Sequence, residues 1–461
     1  MNFETDSYNE ISMNLVDAIT KSKTIKCKIL NKPRQDWIKK EIIQGLEKRN
    51  MLWRLYKKDK TNKELEQNFT KEKFNMAKTI QETKASYYNR LFRDTAKKPR
   101  KMWKLINELS NNRTKDASFP DKLIIDSKTI LEKSEICEHF NTYFSTIGKV
   151  MASEIPEINH RHRDTLILES DQDIKLDNFA PATEDEVIKI INSLDSNTSS
   201  GIDEINTKAL KCVKNLIVIA LTKCINKCLK NGIFPDSLKI AKVSPIYKSG
   251  SKWDPCNYRP ISVLPIISKI FEKILHSRLQ TYLNSKNFFY KKQYGFRQKS
   301  NTLAATIDLT TKIKQKIDQK QIALGIFIDL KKAFDTVSHQ ILLKKLYYIG
   351  IEGKALKIFE SYLHNRKQVV KIGENQSSPQ PLMCGVPQGS ILGPLLFLIY
   401  VNDIHKTSLR GDLTLYADDT SVFYFGRHLD NIMLQAQSDL NELNYWFQAN
   451  LLTINSSKTK Y

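Results

Sequence analysis

What this 461-residue chain most lacks is a long apolar run. No stretch approaches the roughly 18 consecutive apolar residues of a membrane-spanning helix. The longest, Leu395–Val401 after Gly393-Pro394, reads instead as a buried helix. Met1–Glu10 is acidic and polar rather than apolar, which predicts no secretory leader and an intracellular protein. Cysteine is sparse and unpatterned, with seven residues, an odd number, and no Cys-x-x-Cys pair. Cys212, Cys224 and Cys228 fall at helical spacing and read as reduced, partly buried thiols in preference to a zinc site. No internal repeat is present. Negative charge is also in deficit, at 50 Asp and Glu against 73 Lys and Arg, for a net charge of +23.

What is there describes a folded protein with a polyanionic partner. A hydrophobic fraction of 41%, with 18 Tyr and 20 Phe, is that of a globular chain. The length suits two or three lobes. A net charge of +23 and a pI near 9.5 suit nucleic acid or an anionic membrane surface. The charge is uneven: residues 1–115 hold 28 Lys and Arg against 14 Asp and Glu, +14 of the total. Apolar residues there recur at helical spacing, as Ile38, Ile42 and Leu46, and again as Met102, Leu105, Ile106 and Leu109. Aromatics such as Trp37, Trp53, Tyr56, Phe92 and Trp103 are interleaved with the basic residues. Two readings stand: amphipathic helices with solvated basic faces, or an arm that grips phosphates and stacks on bases.

The organisation follows composition. Residues 1–115 form a basic helical extension, and 116–180 a linker region. Within or beside that linker, the Asn/Ser/Asp/Pro-rich stretch 111–121 and the acidic stretch from Glu154 to Asp177 are the breaks. A helical segment over 181–228 opens at Pro181–Glu186, with Thr183 as cap and Glu186 completing a capping box. From about Leu229, over 229–461, strands alternate with helices.

The chemistry begins at Tyr416-Ala417-Asp418-Asp419, between the strand-like runs Leu413–Tyr416 and Val422–Phe425. Two adjacent carboxylates at a hairpin tip raise each other's pKa unless a cation sits between them, and hard Mg²⁺ prefers carboxylate oxygen. Alone, such a pair is also what a solvated turn contains. A two-metal centre needs carboxylates from separate elements. Ile322–Asp329 supplies a second source, a β-rich run ending in one Asp and followed by residues expected to enter a helix. Asp329 is either a ligand at a strand end or the cap of that helix. Between them lies Gly385–Pro394, with three Gly and two Pro in ten residues, a tight loop presenting the Gln388 amide before an apolar helix.

Phe-Ile-Asp-Leu-Lys-Lys-Ala-Phe-Asp-Thr-Val (327–337), Gly-Val-Pro-Gln-Gly-Ser-Ile-Leu-Gly-Pro (385–394) and Tyr-Ala-Asp-Asp occur in this order. Together they resemble the reverse transcriptase of non-LTR (LINE-type) retrotransposons, with jockey-like mobile elements the nearest likeness. Ser199–Asp203, Ala241–Lys248, Asn257–Ser262, Gln293–Arg297, Trp446-Phe447 and Asn455–Thr459 support the resemblance, which covers about residues 195–461. It implies an α/β (α+β) right-hand polymerase fold, with palm and fingers around an antiparallel sheet and the fingers at about 229–325. It also implies a chain whose thumb is missing beyond Tyr461, with no endonuclease upstream.

The resemblance further implies RNA-directed DNA polymerase activity: transfer of nucleotides from dNTPs to a primer 3′-hydroxyl on an RNA template. Asp329, Asp418 and Asp419 would hold two Mg²⁺, with Mn²⁺ as a substitute and the Leu330 carbonyl as a backbone ligand. Phe334 would be a steric gate against the ribose 2′-hydroxyl, or a core Phe on an amphipathic helix, and both can hold. Gln388 would line the nucleotide pocket. Arg259 and Lys248 would meet triphosphate or template, and Lys458 would donate a proton to pyrophosphate or be plainly solvated. The implied partners are RNA template, DNA primer or target, and dNTPs, with no membrane. Nuclear access is implied by the family, and Lys97–Lys101 is a basic candidate signal. A nucleic-acid-binding remnant without catalysis and an RNA-directed RNA polymerase remain as alternatives.

Overall fold

The computed structural model describes residues 10, 13–18, 20–21, 36–96, 98–109, 119–156, 175–298 and 300–461. The expected breaks at 111–121 and Glu154–Asp177 lie largely outside the described residues. The chain divides into two compact units, Thr24–Ser118 and a larger one comprising Met1–Lys23 with Phe119–Tyr461.

The smaller unit is helical: α1 (Lys40–Lys58), α2 (Lys63–Thr95) and α3 (Pro99–Leu109). Asn62 starts α2 by accepting from the Glu64 and Leu65 amides, each at 3.1 Å. Ile42 and Met76 are buried where α1 meets α2, and Gly45 lets them close, since a Cβ there would lie 2.2 Å from the Met76 sulfur. Trp53, Tyr56 and Phe69 gather with ring centroids 5.1 to 6.2 Å apart.

The larger unit is mixed α/β. It begins with the hairpin β1 (Leu123–Ile125) and β2 (Lys128–Ile130), then α4 (Lys133–Ser153), α5 (Glu184–Ser193) and α6 (Thr207–Asn231). Next come β3 (Ile240–Tyr247), β4 (Tyr258–Val263), α7 (Ile266–Ser285), α8 (Thr302–Asp318), β5 (Ile322–Ile328), α9 (His339–Tyr348) and α10 (Gly353–Leu363). The run ends with β6 (Lys367–Ile372), β7 (Asn375–Gln376), β8 (Gln380–Pro381), α11 (Leu392–Val401), β9 (Asp412–Tyr416), β10 (Asp419–Gly426) and α12 (Leu429–Ala449).

Two sheets matter for the site. An antiparallel sheet of order β5-β10-β9 packs on the larger core. A second sheet of order β4-β3-β6-β7, with β8 also on β6, packs α4 on a smaller core that includes Phe140, Val243, Tyr258 and Val370. The expected buried helix is α11, in which every residue but Pro394 is buried, as befits a helix apolar all round. Cys224 and Cys228 are buried in α6, and Cys212 is exposed. Among the described residues, no helix is long and apolar enough to cross a membrane.

One local expectation is met in both its parts and another is corrected. Thr183 does cap α5, its Oγ1 accepting from the Glu186 amide at 3.2 Å. The Glu186 carboxylate completes the capping box by accepting from the Thr183 amide, and it also pairs with the Arg278 guanidinium at 2.6 and 2.8 Å, so that it is held below the usual carboxylate range. The residues after Asp329 do not enter a helix. They turn through 331–336, and α9 starts at His339 with Ser338 as its cap. The backbone groups of this stretch are taken by distant segments: the Lys331 amide donates to Thr453, and the Phe334 and Val337 carbonyls accept from Val386 and Gly385. With those groups engaged, the i to i−4 ladder stops at a single bond, from the Thr336 amide to Lys332. Asp329 is therefore not a helix cap, and Phe334 is not on a helix.

Candidate active site

Asp329 follows the last residue of β5, and Asp418 and Asp419 stand at the β9–β10 turn. In the antiparallel register Thr420 opposes Ile328, so Asp419 and Asp329 are the next residues along the two neighbouring strands. Tyr416 pairs with Asp419 and leaves a two-residue loop, Ala417-Asp418. Ala417 has φ +58°, a left-handed conformation that a non-glycine residue adopts only when held. Gln293 holds it: its buried Oε1 accepts from the Ala417 amide at 3.0 Å and the Gly295 amide at 2.9 Å. Gly295 is required for this approach, because a Cβ there would lie 2.2 Å from the Ala417 nitrogen.

The other side of Asp329 is built by the C-terminal segment. Phe327 exchanges backbone hydrogen bonds with Lys460 at 2.8 and 3.0 Å, so residues 453–460 cover the free edge of β5. Asn455 grips Asp329 twice. Its amide donates to the Asp329 carbonyl at 2.8 Å, and its Nδ2 to the Asp329 carboxylate at 2.8 Å. Leu330 is buried and bridges Ile454, the hydrogen bonds of that bridge running through its neighbours Asp329 and Lys331.

The three carboxylates sense one another. Asp418 is pushed above the usual carboxylate range by burial and then by the charge of Asp329, with Arg259 and Lys248 opposing. Asp419 is pushed up by burial, then by Asp418 and Asp329. Facing them are three cations on other segments. The Lys458 ammonium lies 4.0 Å from the Asp329 carboxylate, and Lys248 is lowered by burial and then by neighbouring Lys458 and Arg259. A cleft of about 690 Å³ opens beside Asp329 and Asp419, walled by Thr302 and Thr306 of α8, Tyr416 and Lys458.

Three carboxylates are hard oxygen donors whose mutual repulsion is relieved by a divalent cation, so the donor chemistry suits Mg²⁺ or a similar ion. Among the described residues, no three or more His, Cys, Asp and Glu side chains are gathered closely enough to hold a metal ion as they stand. The fit lies in the donors and their charge.

Phe334 is half-buried, stacked on Phe397 of α11 at 4.7 Å and edge-on to the exposed Phe296 at 5.9 Å. Gln388 donates its amide to Asp335, at 2.9 and 3.0 Å from the two carboxylate oxygens, and its carbonyl accepts from Ser262 of β4 at 2.8 Å. Gly389, at φ +123°, makes that approach, since a Cβ would lie 2.5 Å from the Ser262 carbonyl oxygen. The structure thus brings Asp329, Asp418, Asp419, Lys248, Arg259 and Lys458 into one electrostatic neighbourhood. Phe334 and Gln388 stand on two segments stitched to each other.

Residues 246–461 match the family model described as reverse transcriptase (RNA-dependent DNA polymerase). That segment, just under half of the chain, is what is similar to reverse transcriptases. It is 32% identical over 290 residues to the probable RNA-directed DNA polymerase from transposon BS of Drosophila melanogaster, a match covering 60% of this chain and 32% of that protein. Against the probable RNA-directed DNA polymerase from transposon X-element of the same organism it is 28% identical over 364 residues, 78% of this chain and 39% of the relative. Against the RNA-directed DNA polymerase from mobile element jockey the identity is 28% over 288 residues, 61% and 31% of the two chains. The chain therefore spans about a third of the length of the curated relatives it matches.

Within the matched segment, sequence reasoning passed over Gln293, Asn455 and Asp335 as individual residues. Gln293 and Asn455 lay inside runs that carried the resemblance, and Gly295 beside Gln293 was the one local signal of a close backbone approach. Asp335 likewise lay inside the 327–337 run, one residue after Phe334.

Proposed function

We propose that this chain is the RNA-directed DNA polymerase of a non-LTR retrotransposon, extending a primer 3′-hydroxyl with dNTPs on an RNA template. The observation that carries the reading is the meeting of Asp329 with Asp418 and Asp419 at one end of the β5-β10-β9 sheet, opposite Lys248, Arg259 and Lys458. In this reading that sheet is the palm, the β4-β3-β6 sheet belongs to the fingers, and the helical unit is a basic N-terminal extension.

Asp329, Asp418 and Asp419 would hold Mg²⁺, with the Leu330 carbonyl as a further oxygen. Bound there, two divalent cations supply neutralisation of phosphate charge and a more acidic primer hydroxyl. The remaining work belongs to the chain. Gln293 and Asn455 keep the carboxylates aimed, so little reorganisation is needed at the moment of transfer. Lys248 and Arg259 attract the triphosphate or the template backbone, the Arg fork matching phosphate oxygens. Lys458 is placed near Asp329 to hold or give a proton at the departing pyrophosphate. Phe334 bars a 2′-hydroxyl, and Gln388 lines the base and sugar side of the pocket. The partners are then RNA template, DNA primer or target, and dNTPs, and use at chromosomal DNA calls for nuclear access.

Primer extension on an RNA template with Mg²⁺ and dNTPs tests the reading. Extension that ignores the template, or that prefers rNTPs, would point to another reaction class.

A further inference from the structure

The Gln388 amide is not free at the rim of its loop. Its Nε2 lies 2.9 and 3.0 Å from the two oxygens of Asp335, a residue 53 positions earlier in the chain. The backbones of the two segments are stitched as well. The Val386 amide donates to the Phe334 carbonyl at 2.9 Å, the Gly385 amide to Val337 at 2.7 Å, and the Cys384 thiol to the Asp335 carbonyl at 3.5 Å. At the loop's exit, the fully buried Glu272 of α7 accepts from the Ile391 and Leu392 amides at 2.7 and 3.1 Å. Those contacts fix the main chain. What orients the Gln388 side chain is the Asp335 carboxylate.

Resting on the reading that Gln388 lines the nucleotide pocket, we infer that Asp335 is a positioning residue that locks the Gln388 side chain for the incoming dNTP. A hydrogen bond to an ionised acceptor is stronger than a neutral one and holds one rotamer. Released from it, Gln388 must be ordered by the nucleotide at every binding event, which weakens binding more than chemistry.

The titratable groups facing Asp335 are Lys332 on its own turn, Tyr143 of α4 and Cys384 of the loop segment. Burial lifts the Asp335 carboxyl to about 6, with Gln388 and Lys332 opposing. Below that pH the group takes up a proton, one acceptor oxygen becomes a donor, and its hold on the Gln388 amide loosens. The KM for dNTP therefore climbs as pH falls through about 6.

Asp335→Asn and Gln388→Ala, alone and together, provide the test by steady-state dNTP incorporation. Asp335→Asn should raise KM about tenfold, the size of one hydrogen bond to a charged group, with kcat within about twofold. It should also abolish the acid climb in KM, and it should change KM little once Gln388 is already Ala. Additive KM effects in the double variant would overturn the inference. Hydrogen exchange at the Gln388 side-chain amide, followed by NMR, reads the same coupling without turnover. Faster exchange there in Asp335→Asn, at unchanged melting temperature, supports it, and exchange equal to wild type overturns it. A wild-type chain that extends no primer contradicts the polymerase reading, and the exchange measurement still decides the coupling.

Discussion

Replacing Phe334 by alanine separates its two roles at the residue scale. The ring stacks on Phe397 at 4.7 Å, so its loss should destabilise the domain by about 2 kcal/mol, read by urea denaturation. As a gate its loss should also raise rNTP use relative to dNTP by about tenfold or more in kcat/KM. A stability loss with unchanged sugar selectivity would leave Phe334 a packing residue alone. Gln293→Ala should cost about 1–3 kcal/mol, because the Gly295 and Ala417 amides lose their shared acceptor in a buried turn. Thermal melting measures that loss. The Asp335 carboxyl, raised to about 6, favours the fold in its protonated form. Its contribution is complete below about 3.8 and is lost as pH rises through about 6, so Asp335→Asn should flatten that part of the stability profile. The placement of Asp329 at a strand end and of Asp418 and Asp419 at a hairpin turn was legible in sequence because strand ends and turns are local, whereas the non-helical turn that carries Phe334 was not. Gln293, Asn455 and Asp335 were not singled out, because their partners lie 124, 126 and 53 residues away in the chain. A side chain gives no local sign of which distant backbone it will meet.

Elements show the same division between local and distant causes. The hairpin β9–β10 and the helix α11 follow from alternation and from an unbroken apolar run, and both stand where those patterns place them. The stretch after Asp329 carries helix-forming residues yet turns, since Thr453, Gly385 and Val386 take its backbone groups. The capping box at α5 stands as its local pattern predicts, and Arg278, 92 residues away, adds a partner for Glu186 that no local pattern shows. Glu272 is the strongest case. Glutamate is ordinarily a surface residue, yet Glu272 is fully buried and supports the start of α11. Its carboxyl is raised by burial, with the buried Arg366 opposing. Glu272→Ala should destabilise the domain by about 2 kcal/mol or more, because the Ile391 and Leu392 amides and the Ser268 hydroxyl lose their acceptor and buried Arg366 loses a nearby opposite charge. Glu272→Gln should cost less, and comparing the two by chemical denaturation separates the charge from the hydrogen bonds.

At the scale of the whole molecule, charge and site are distributed between two units. Thr24–Ser118 carries 26 Lys and Arg against 11 Asp and Glu, a net +15 of the chain's +23. If that unit meets nucleic acid through phosphates, changing Lys57, Lys58, Lys71 and Lys73 to Gln should lower the slope of log K against log salt for single-stranded RNA by about 3. Fluorescence anisotropy across a salt series checks this, and an unchanged slope would return those helices to a solvated role. The catalytic claim rests elsewhere, on Asp329, Asp418 and Asp419 converging in the larger unit. Asp418→Asn removes one of three repelling charges, so it should raise the melting temperature without divalent cation and reduce the gain when Mg²⁺ is added. The most direct test is primer extension on an RNA template by the wild type and by Asp418→Asn, at equal folded concentration. The account predicts template-directed dNTP incorporation by the wild type and a loss of at least about a thousandfold in the variant. Extension by Asp418→Asn at the wild-type rate would contradict it.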